Sequence, residues 1–526
     1  MLLPGRTGAA PAAPLAVPAG AVLTRVWARA AAAPNEIWVL GGLTFLAAAV
    51  RFATIASQSY WVDEATTVHE MQLSFGALLH AVRVDETTPP LYFVLAWVWA
   101  KLFGIGEAGL RSMSAVLGTA LIPILYLCGR DLVSRRAGAV AGALAALSPF
   151  MIWYSQEARS YMLLGVLCGA SFLFCTRAWR SPSKLNLALW ATFSALAILT
   201  HFFAGFLVAP EAIWLLCGAR NRAAVTAIAA VTLVQLAILP LALSDTSHPL
   251  GWIQAFPLAS RIQQVPVDLG LGTLYQSAIV TYGLLGAAVL SGVVIVLLVV
   301  GAESEWLRRA GIAAAVGGAV ILVPLVLAVL GSDYYVPRNL LPAWIPLAVL
   351  IGAACAVPRP RWAGGALAAL LLGAFIYAGI RIDGNPRYQR PDWRGVAAAL
   401  GHAPGQRAIV AYDGGFAAGP LAIYLPRVPW SQGSGATVDV GEVDVIGSTA
   451  QKRADPLPPG TRLISSQAVD SYLVQRFSVS PAWHLTPAAL GARAGALLGP
   501  APPRPAVLIQ RPPAIGFVAP MRRPPA

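Results

Sequence analysis

The chain alternates between long apolar segments and short polar ones from about residue 37 to residue 380. Eleven apolar segments predict spanning helices, because a helix needs about 20 apolar residues to cross a bilayer. They lie at residues 37–55, 108–129, 137–153, 158–178, 185–200, 203–218, 223–243, 275–300, 310–331, 338–356 and 362–380. The pattern predicts an all-α polytopic membrane protein over residues 37–381.

The chain changes character at both ends of this region. From residue 382 the apolar runs shorten to strand length, and Pro and Gly become frequent. RAIVAY, TRLISS and AVLIQ predict strands, and PDWRGVAAAL predicts a helix, so residues 382–526 are expected to form a small α/β or α+β domain. Residues 1–36 carry Pro, Ala and Arg without a compact apolar core and cleavage site, so they predict a cytosolic tail.

Composition supports the membrane interpretation. The chain has 526 residues, of which 57% are hydrophobic and only 11% charged, with a mean hydropathy of +0.67. A net charge of +14 would suggest nucleic-acid binding in a soluble protein, but here Arg clusters between apolar segments, which excludes that partner. The five cysteines all lie in apolar segments without metal-like spacing, so neither a disulfide framework nor a zinc site is expected.

The positive-inside rule orients the predicted helices in the cytoplasmic membrane. If residues 1–36 are inside and residues 89–104 do not cross, the basic clusters of the later loops also lie inside. These clusters are Arg130, Arg135 and Arg136; Arg177, Arg180 and Lys184; Arg220 and Arg222; Arg308 and Arg309; and Arg359 and Arg361. We therefore expect residues 89–104 to form a short interfacial or re-entrant helix. The polar segments that carry candidate chemistry, and the C-terminal domain, then lie on the outer face.

Two acidic pairs occur in the first outer loop. Asp63 and Glu64 follow Tyr60 and Trp61 in the stretch SYWVDEATTVHE, and the second pair, Asp85 and Glu86, precedes PPLYF. Adjacent carboxylates can simply be solvated loop residues that help to stop a helix. Because aromatic residues flank the first pair and an amphipathic helix over 65–82 can fold the loop back on the membrane, we favour a functional cavity.

Charged residues of the other outer segments are further candidates. Glu157 and Arg159 are two residues apart at a helix start, so they point to different partners, although they can equally be a dipole-complementing Glu and a snorkelling Arg. Arg111 and Arg338 both lie on the outer side, against the positive-inside trend.

Aromatic residues and one histidine complete the set of candidates. Tyr334 and Tyr335 precede Arg338, and an outer arginine beside tyrosines suits a phosphate at the level of lipid headgroups. His201 interrupts the apolar hairpin ILTHFFAGF, where a satisfied polar residue is more common than a ligand.

The order of these motifs resembles a known family. The acidic pair after the first helix, the acidic stretch before PPLYF, Gly-Glu-x-x-x-Arg at 106–111, SPFMIWYSQEARSY, THFF and YYVPRNLLP together resemble the family 39 type of membrane glycosyltransferases. These belong to the GT-C superfamily, with protein O-mannosyltransferases and aminoarabinose transferases of lipid A as relatives. The resemblance covers residues 37–380, and RPDWRGVAAALGHAPG resembles the entry to a variable outer domain.

The resemblance implies transfer of a sugar from a polyprenyl-phosphate carrier to an acceptor on the outer face. By position, Asp63 matches the principal acidic residue of the family, proposed to activate the acceptor, and Glu64 its neighbour. The sequence departs from the family at Thr87 and Thr88, where relatives often carry His or Glu-Lys before Pro-Pro. The donor phosphate is then expected to bind Arg159, Arg111 or Arg338. The predicted substrate-binding residues are Asp85, Glu86, Arg111, Tyr154, Glu157, Arg159, His201, Tyr334, Tyr335 and Arg338.

Elementary chemistry is consistent with this role for Asp63. A sugar hydroxyl is far less acidic than Asp, whose free pKa is about 3.9, so Asp63 would accept the proton as the new bond forms. A single displacement of this kind inverts the anomeric centre. The phosphate leaving group is already a stable anion and needs no general acid. Carboxylates that hold a divalent cation remain an alternative, and no other cofactor is predicted.

Two other classes of protein fit a polytopic, basic chain. A lipid or sugar transporter or flippase concentrates ionisable residues near the bilayer midplane, whereas here they lie mostly at helix ends and in outer loops. A non-catalytic scaffold for cell-envelope assembly would keep the fold and could lose Asp63, which this chain retains. An inverting glycosyltransferase with an envelope glycan, lipid or protein as acceptor is the favoured interpretation, and the sequence does not identify the sugar.

Overall fold

A computed structural model describes residues 35–84, 86, 88–218, 221–244, 253, 255–275, 277–412, 417–430, 435–449, 457–498 and 505–512. The described chain is mostly helical, with one five-stranded sheet near its C-terminal end. The predicted fold class, an all-α membrane protein with a small C-terminal domain that contains a sheet, is therefore confirmed.

Sixteen helices precede residue 384 in the described chain. They are α1 (Asn35–Ala53), α2 (Val62–Gln72), α3 (Phe75–Val84), α4 (Leu91–Phe103), α5 (Glu107–Leu132), α6 (Arg135–Leu147), α7 (Pro149–Ser155), α8 (Tyr161–Arg180), α9 (Lys184–Ile198), α10 (Gly205–Gly218), α11 (Arg222–Ser244), α12 (Leu258–Leu271), α13 (Ser277–Gly301), α14 (Ser304–Val329), α15 (Leu341–Cys355) and α16 (Arg361–Asp383). Short 3₁₀ turns at Phe202–Ala204 and Pro337–Leu340 lead into α10 and α15.

Eight of the described helices are long and apolar enough to cross a membrane, which makes the chain a multi-pass membrane protein. They are α1, α5, α8, α11, α13, α14, α15 with its preceding 3₁₀ turn, and α16. The pair α6 and α7, bent by 59°, is a ninth span if it is counted as one. All eleven predicted segments thus fall on helices, but α9 and α10 have only 15 and 14 residues. At 1.5 Å per residue each is shorter than the hydrocarbon core of about 30 Å.

A buried arginine lies at the bend between α6 and α7. Arg51 on α1 donates from Nη2 to the carbonyl of Ala145 at 2.9 Å and from Nη1 to that of Ala146 at 3.1 Å, near the C-terminal end of α6. Its Nε donates to the hydroxyl of Ser155 at 3.0 Å. Carbonyls at a helix C-terminus carry partial negative charge, so they solvate a buried cation. Arg51 therefore links α1 to both halves of the bent pair.

The loop after α1 folds into three short helices. The sequence predicts one amphipathic helix over 65–82, whereas the structure divides it into α2 and α3 at Leu73, whose extended backbone ends α2. Helix α4 covers the predicted interfacial segment 89–104 and, with 13 residues, is too short to span a bilayer. Val68, Met71 and Leu78 are buried, whereas Leu79 is exposed.

The C-terminal domain contains every strand and helix that the sequence predicts, together with elements that it does not. Its elements are α17 (Trp393–Leu400), β1 (Arg407–Ala411), α18 (Ala418–Tyr424), β2 (Val438–Ser448), β3 (Thr461–Val469), β4 (Tyr472–Leu485), α19 (Pro487–Leu498) and β5 (Ala506–Gln510). The sheet order is β3-β4-β2-β1-β5, with β1 and β2 parallel and the other pairs antiparallel. Apolar side chains from both faces of the sheet form separate cores.

A buried ion pair crosses the two central strands of this sheet. Arg407 on β1 donates to Asp444 Oδ2 on β2 at 2.7 Å, and neither side chain is exposed. Arg407 also donates to the carbonyls of Leu400 and Gly401, at the C-terminal end of α17. Arg407 therefore links the C-terminal end of α17 to strands β1 and β2.

Replacing this arginine tests its contribution to the domain. Arg407→Gln removes the hydrogen-bonded arginine from the buried Asp444 and leaves it only the 3.8 Å contact to Arg476, so we expect the free energy of unfolding of the sheet to fall by about 3 kcal/mol. Hydrogen exchange of the β1 and β2 amides measures this loss. Arg462→Gln, at an exposed position on edge strand β3, is the control and should change little. Equal protection in both variants would contradict the structural role of Arg407.

Candidate active site

The acidic pair lies in the first turn of α2, beyond the end of the first spanning helix. Trp61, with extended backbone, is the N-cap residue, so Asp63 and Glu64 both lie at the positive end of the helix dipole. Successive residues on a helix point about 100° apart, and the two carboxylates therefore meet different partners. Asp63 is partly exposed, whereas Glu64 is fully buried.

Glu64 forms a buried, two-pronged ion pair with Arg111 of α5. Arg111 donates from Nε to Glu64 Oε1 at 2.7 Å and from Nη2 to Glu64 Oε2 at 2.6 Å. Its remaining N–H groups donate to the carbonyls of Ile55, Gln58 and Ser59. All five donors of the guanidinium are used, which leaves none for a phosphate. Burial opposes ionisation of Glu64, but the charge and hydrogen bonds of Arg111 outweigh it and keep the pKa of Glu64 below its usual range.

Asp63 contacts an arginine from a distant part of the chain. Arg338, in the 3₁₀ turn before α15, donates from Nη1 to Asp63 Oδ2 at 2.7 Å. The side chains are 23% and 25% exposed, respectively, which makes this pair more open to solvent than the pair between Glu64 and Arg111. The guanidinium also lies 6.0 Å from the ring centroid of Trp61. A partly exposed carboxylate with a single arginine contact can exchange that partner for a ligand.

Glu86 and Arg159 form the third ion pair around α2. Arg159 donates from both terminal nitrogens to the Glu86 carboxylate, at 3.0 and 2.9 Å. The same guanidinium reaches Thr67 Oγ1 at 3.3 Å and the Asp63 carbonyl at 3.4 Å. The loop therefore folds back so that Glu86, from the second acidic pair, and Asp63, from the first, both contact Arg159. Asp85, its other predicted member, lies outside the described residues.

Glu157 has a partner that the sequence analysis did not identify. Arg390, between α16 and α17, donates from Nη2 to Glu157 Oε2 at 3.1 Å, and its Nε lies 3.9 Å from Glu64 Oε2. Among the described residues, Glu157 Oε1 has no hydrogen-bond partner. Burial raises the pKa of Glu157 to about 7, although the Arg390 charge acts in the opposite direction. No sequence signal marks Arg390, except that it precedes the PDWR segment.

The remaining predicted residues line the same region or support it. His201 is buried, and its Nδ1 accepts from the Phe203 amide at 3.2 Å. Burial and the charges of Arg338 and Arg159 lower the pKa of His201 to about 3, so the imidazole is neutral. The Tyr161 ring lies 6.0 Å from the His201 ring and 4.8 Å from that of Tyr154.

Tyr334 and Tyr335 lie on the segment that leads to Arg338. The Tyr335 carbonyl accepts from Arg261 Nη1 at 2.7 Å, and Arg261 also forms an ion pair with Asp333. The Tyr334 carbonyl accepts from Asn339. These bonds fix the backbone on both sides of the two tyrosines. Arg261 and Asp333 were not predicted, since neither lies in a motif.

A large apolar cavity lies next to this segment. It has a volume of about 1030 Å³ and is lined by residues of α12, α13, α14, α15 and α16, together with Tyr335. Val267, Leu290 and Trp344 are typical of its wall. Tyr335 belongs to the cavity wall, whereas Arg338, three residues later in the sequence, does not. An apolar cavity of this size suits a hydrocarbon tail.

A metal site finds no support in the described chain, where no group of three or more His, Cys, Asp or Glu side chains is arranged to hold an ion. Asp63, Glu64, Glu86 and Glu157 are each paired with an arginine instead.

Comparison with known proteins gives one family match and several structural ones. Residues 87–244 match the family described as dolichyl-phosphate-mannose-protein mannosyltransferase, which confirms the resemblance to membrane glycosyltransferases over that part of the chain. No curated protein sequence matches.

Three solved structures illustrate the structural likeness. ArnT from Cupriavidus metallidurans bound to undecaprenyl phosphate has 13% identity and a TM-score of 0.49, over 85% of this chain and 99% of that one. The Archaeoglobus fulgidus oligosaccharyltransferase tethered with an acceptor peptide has 12% identity and a TM-score of 0.43, over 70% and 57%. The arabinofuranosyltransferase AftD from mycobacteria has 17% identity and a TM-score of 0.43, over 84% and 41%.

The pKa of Glu157 predicts a pH dependence of stability. A folded-state pKa of about 7 exceeds that of a free Glu, about 4.3, so the folded protein retains a proton that the unfolded chain has lost. The contribution of Glu157 to stability is therefore present below about pH 4.3 and is lost as the pH rises through about 7. Melting temperatures across this range should fall less steeply in Glu157→Gln than in the native chain.

Glu303→Gln provides the matched control, because Glu303 is exposed and lies outside this cluster. It should reproduce the native pH dependence. If Glu157→Gln also reproduces it, the pKa of Glu157 is not raised in the folded protein.

Proposed function

We propose that this protein is an inverting glycosyltransferase of the cytoplasmic membrane. It transfers a sugar from a polyprenyl-phosphate carrier to a cell-envelope glycan, lipid or protein on the outer face. The observation that carries this proposal is the pairing of Asp63 with Arg338, three residues after Tyr335, which lines a large apolar cavity among the membrane helices. A carboxylate, an exchangeable arginine and a site for a hydrocarbon tail are the three parts that this reaction requires.

Arg338 is the arginine best suited to bind the donor phosphate. Arg111 uses all five of its donors within the protein, and Arg159 is bound to Glu86 by two hydrogen bonds. The Arg338 side chain is 23% exposed, more than either of these, and its Nη1 donates to Asp63. A phosphate oxygen can replace the Asp63 carboxylate on Arg338, and charge-assisted bonds of this kind are strong.

This exchange would also prepare Asp63 for catalysis. Once the phosphate has displaced it from Arg338, the Asp63 carboxylate is free to accept a hydrogen bond from the acceptor hydroxyl. Asp63 then takes the proton from the acceptor hydroxyl while the acceptor oxygen bonds to the anomeric carbon. The bond from that carbon to the phosphate oxygen breaks, and Arg338 stabilises the negative charge that develops there. Donor therefore binds before acceptor.

Glu64 has a different part in this proposal. Its carboxylate is fully buried and accepts from Arg111 and from the Ala158 amide, so it positions α2 and does not touch substrate. Tyr154, Tyr334 and the neutral His201 are the proposed contacts for the sugar, because their side chains belong to the segments around Asp63 and Arg338.

Replacing Asp63 tests the catalytic assignment. Asp63→Asn removes the proton acceptor, so we expect transfer to fall by about 10²- to 10⁴-fold. Donor binding should persist or become tighter, because Arg338 no longer has a carboxylate to release. The measurement is transfer by purified, lipid-reconstituted protein with a panel of polyprenyl-phosphate sugars and extracted envelope acceptors, with donor affinity determined separately.

Asp439→Asn is the control for this experiment, since Asp439 is exposed on β2 of the C-terminal domain. Transfer that persists in Asp63→Asn at the native rate would refute the role of Asp63. If the native chain neither binds nor transfers from any carrier, a transporter or an envelope-assembly scaffold becomes the better explanation.

The cavity can be tested independently of the chemistry. Ala287 on α13 lines it, whereas its neighbour Ala288 does not and is exposed. Ala287→Trp fills part of the cavity, so we expect the affinity for a long-chain polyprenyl phosphate to fall about tenfold or more, since each CH₂ excluded costs about 0.8 kcal/mol. A short-chain phosphate with the same head should bind equally well before and after the change.

Ala288→Trp adds the same side chain on the outside of the helix and should leave both affinities unchanged. Equal losses for long and short chains in Ala287→Trp would show that the cavity does not hold the tail.

A further inference from the structure

The C-terminal region contacts the helix that carries the acidic pair at several points. The Tyr60 amide donates to Tyr424 Oη at 2.7 Å, and Tyr424 in turn donates to Glu107 on α5. The His69 ring stacks on Trp430 with centroids 4.3 Å apart and planes 3° from parallel. These contacts reach both ends of α2 from one side of it.

Small residues allow α18 to approach α2 closely. A Cβ added to Gly419 would lie 3.2 Å from the Cβ of Ala65, which is tighter than most such contacts. Ala65 is fully buried, although it belongs to a polar segment of a surface loop. Helix α2 is therefore packed against the C-terminal domain along its length and is not a free loop on the membrane surface.

The segment just before α17 also contacts the residues that precede α2. Ser59 Oγ donates to the Pro391 carbonyl at 2.9 Å and accepts from the Trp393 amide at 3.0 Å. The Arg390 amide donates to Gln58 Oε1 at 3.0 Å. These bonds pair the residues just before α2 with the backbone around Arg390.

The Arg390 side chain occupies the space between two carboxylates. It is 2% exposed, donates to Glu157 and to the Trp153 carbonyl, and its guanidinium carbon lies 4.1 Å from the Trp153 ring centroid. The distance from its Nε to Glu64 Oε2 is 3.9 Å, which is a charge contact without a hydrogen bond. When Glu157 is ionised, it forms with Glu64, Arg111 and Arg390 a buried group of two negative and two positive charges.

We propose that Arg390 is a positioning residue through which the C-terminal region holds α2, and with it Asp63, in place. Removing the Arg390 charge leaves Glu157 without its arginine and Glu64 with Arg111 alone. At a pH at which both carboxylates are ionised, their like charges repel strongly at this depth, so the start of α2 and the segment around Glu157 would move apart. Asp63, one residue from Glu64, would move with them. The role of Arg390 in holding α2 is independent of the proposed function. The expected effect on kcat rests on the proposed transfer reaction.

The experiment compares four variants of the full chain in lipid. Arg390→Gln removes the charge, Arg390→Lys retains it without the planar fork, and Arg390→Gln with Glu157→Gln removes one charge of each sign. Arg387→Gln is the control, since Arg387 is exposed in the same connecting segment. Each variant is measured for donor KM, for kcat, and for hydrogen exchange of the amides of residues 62–67.

Arg390→Gln should lower kcat by about 10- to 100-fold with little change in donor KM, because displacing a reacting group by about 1 Å has an effect of this size. Amide exchange in α2 should become about tenfold faster or more. Arg390→Lys and the double variant should each recover part of both losses, whereas Arg387→Gln should match the native chain.

Three results would overturn the proposal. One is an Arg390→Gln variant in which the hydrogen exchange of the α2 amides and kcat both equal those of the native chain. Another is a raised donor KM at constant kcat, which would make Arg390 a donor-binding residue. The third is a double variant no better than Arg390→Gln, which would show that charge balance is not the cause. If no variant and no native protein transfers sugar, the proposed function fails, and the exchange measurements still decide whether Arg390 positions α2.

Discussion

The buried ion pair between Glu64 and Arg111 fixes the helix around which the candidate site is built. A carboxylate without exposure to water is tolerated only if a well-placed cation offsets its lost hydration. Arg111 meets this condition with two hydrogen bonds to Glu64 and three to the backbone that precedes α2. The same residue therefore neutralises the charge and holds the chain that leads into the helix.

Once Glu64 is fixed, helix geometry determines the direction of Asp63. The Asp63 side chain must point about 100° away, towards Arg338. One carboxylate is thus committed to structure, while the other remains partly exposed beside a single exchangeable arginine. Two chemically similar residues acquire different roles from their surroundings alone, as the depressed pKa of Glu64 and the raised pKa of Glu157 also illustrate.

The sequence was sufficient for the parts of the structure that depend on local patterns. Lengths of apolar runs located the helices, and three of the five strands were predicted. Strand β2 was missed although VDVGEVDV alternates apolar and acidic residues, which is a recognisable strand signal. The partner of Glu157 could not have been predicted, because Arg390 is 233 residues away and pairs with it only through the tertiary fold. Charge pairs in a folded core depend on three-dimensional proximity, which no local pattern encodes.

The bilayer explains why so much of this site is held by arginines from distant segments. Loops at a membrane surface have little apolar core of their own, and the helices below them are constrained by length and hydrophobicity. Arg51 shows how the two regions are joined. It binds the carbonyls at the end of α6 and the hydroxyl of Ser155, and its own carbonyl accepts from Gln156, next to Glu157. A Cβ at Gly118 would collide with that hydroxyl, so a glycine is required where α5 passes. The position of Glu157, and therefore of Arg390, is set from within the membrane by α1 and from the other side by the C-terminal region. A substitution in α1 or in the C-terminal region that displaces Glu157 or Arg390 should therefore also displace Asp63.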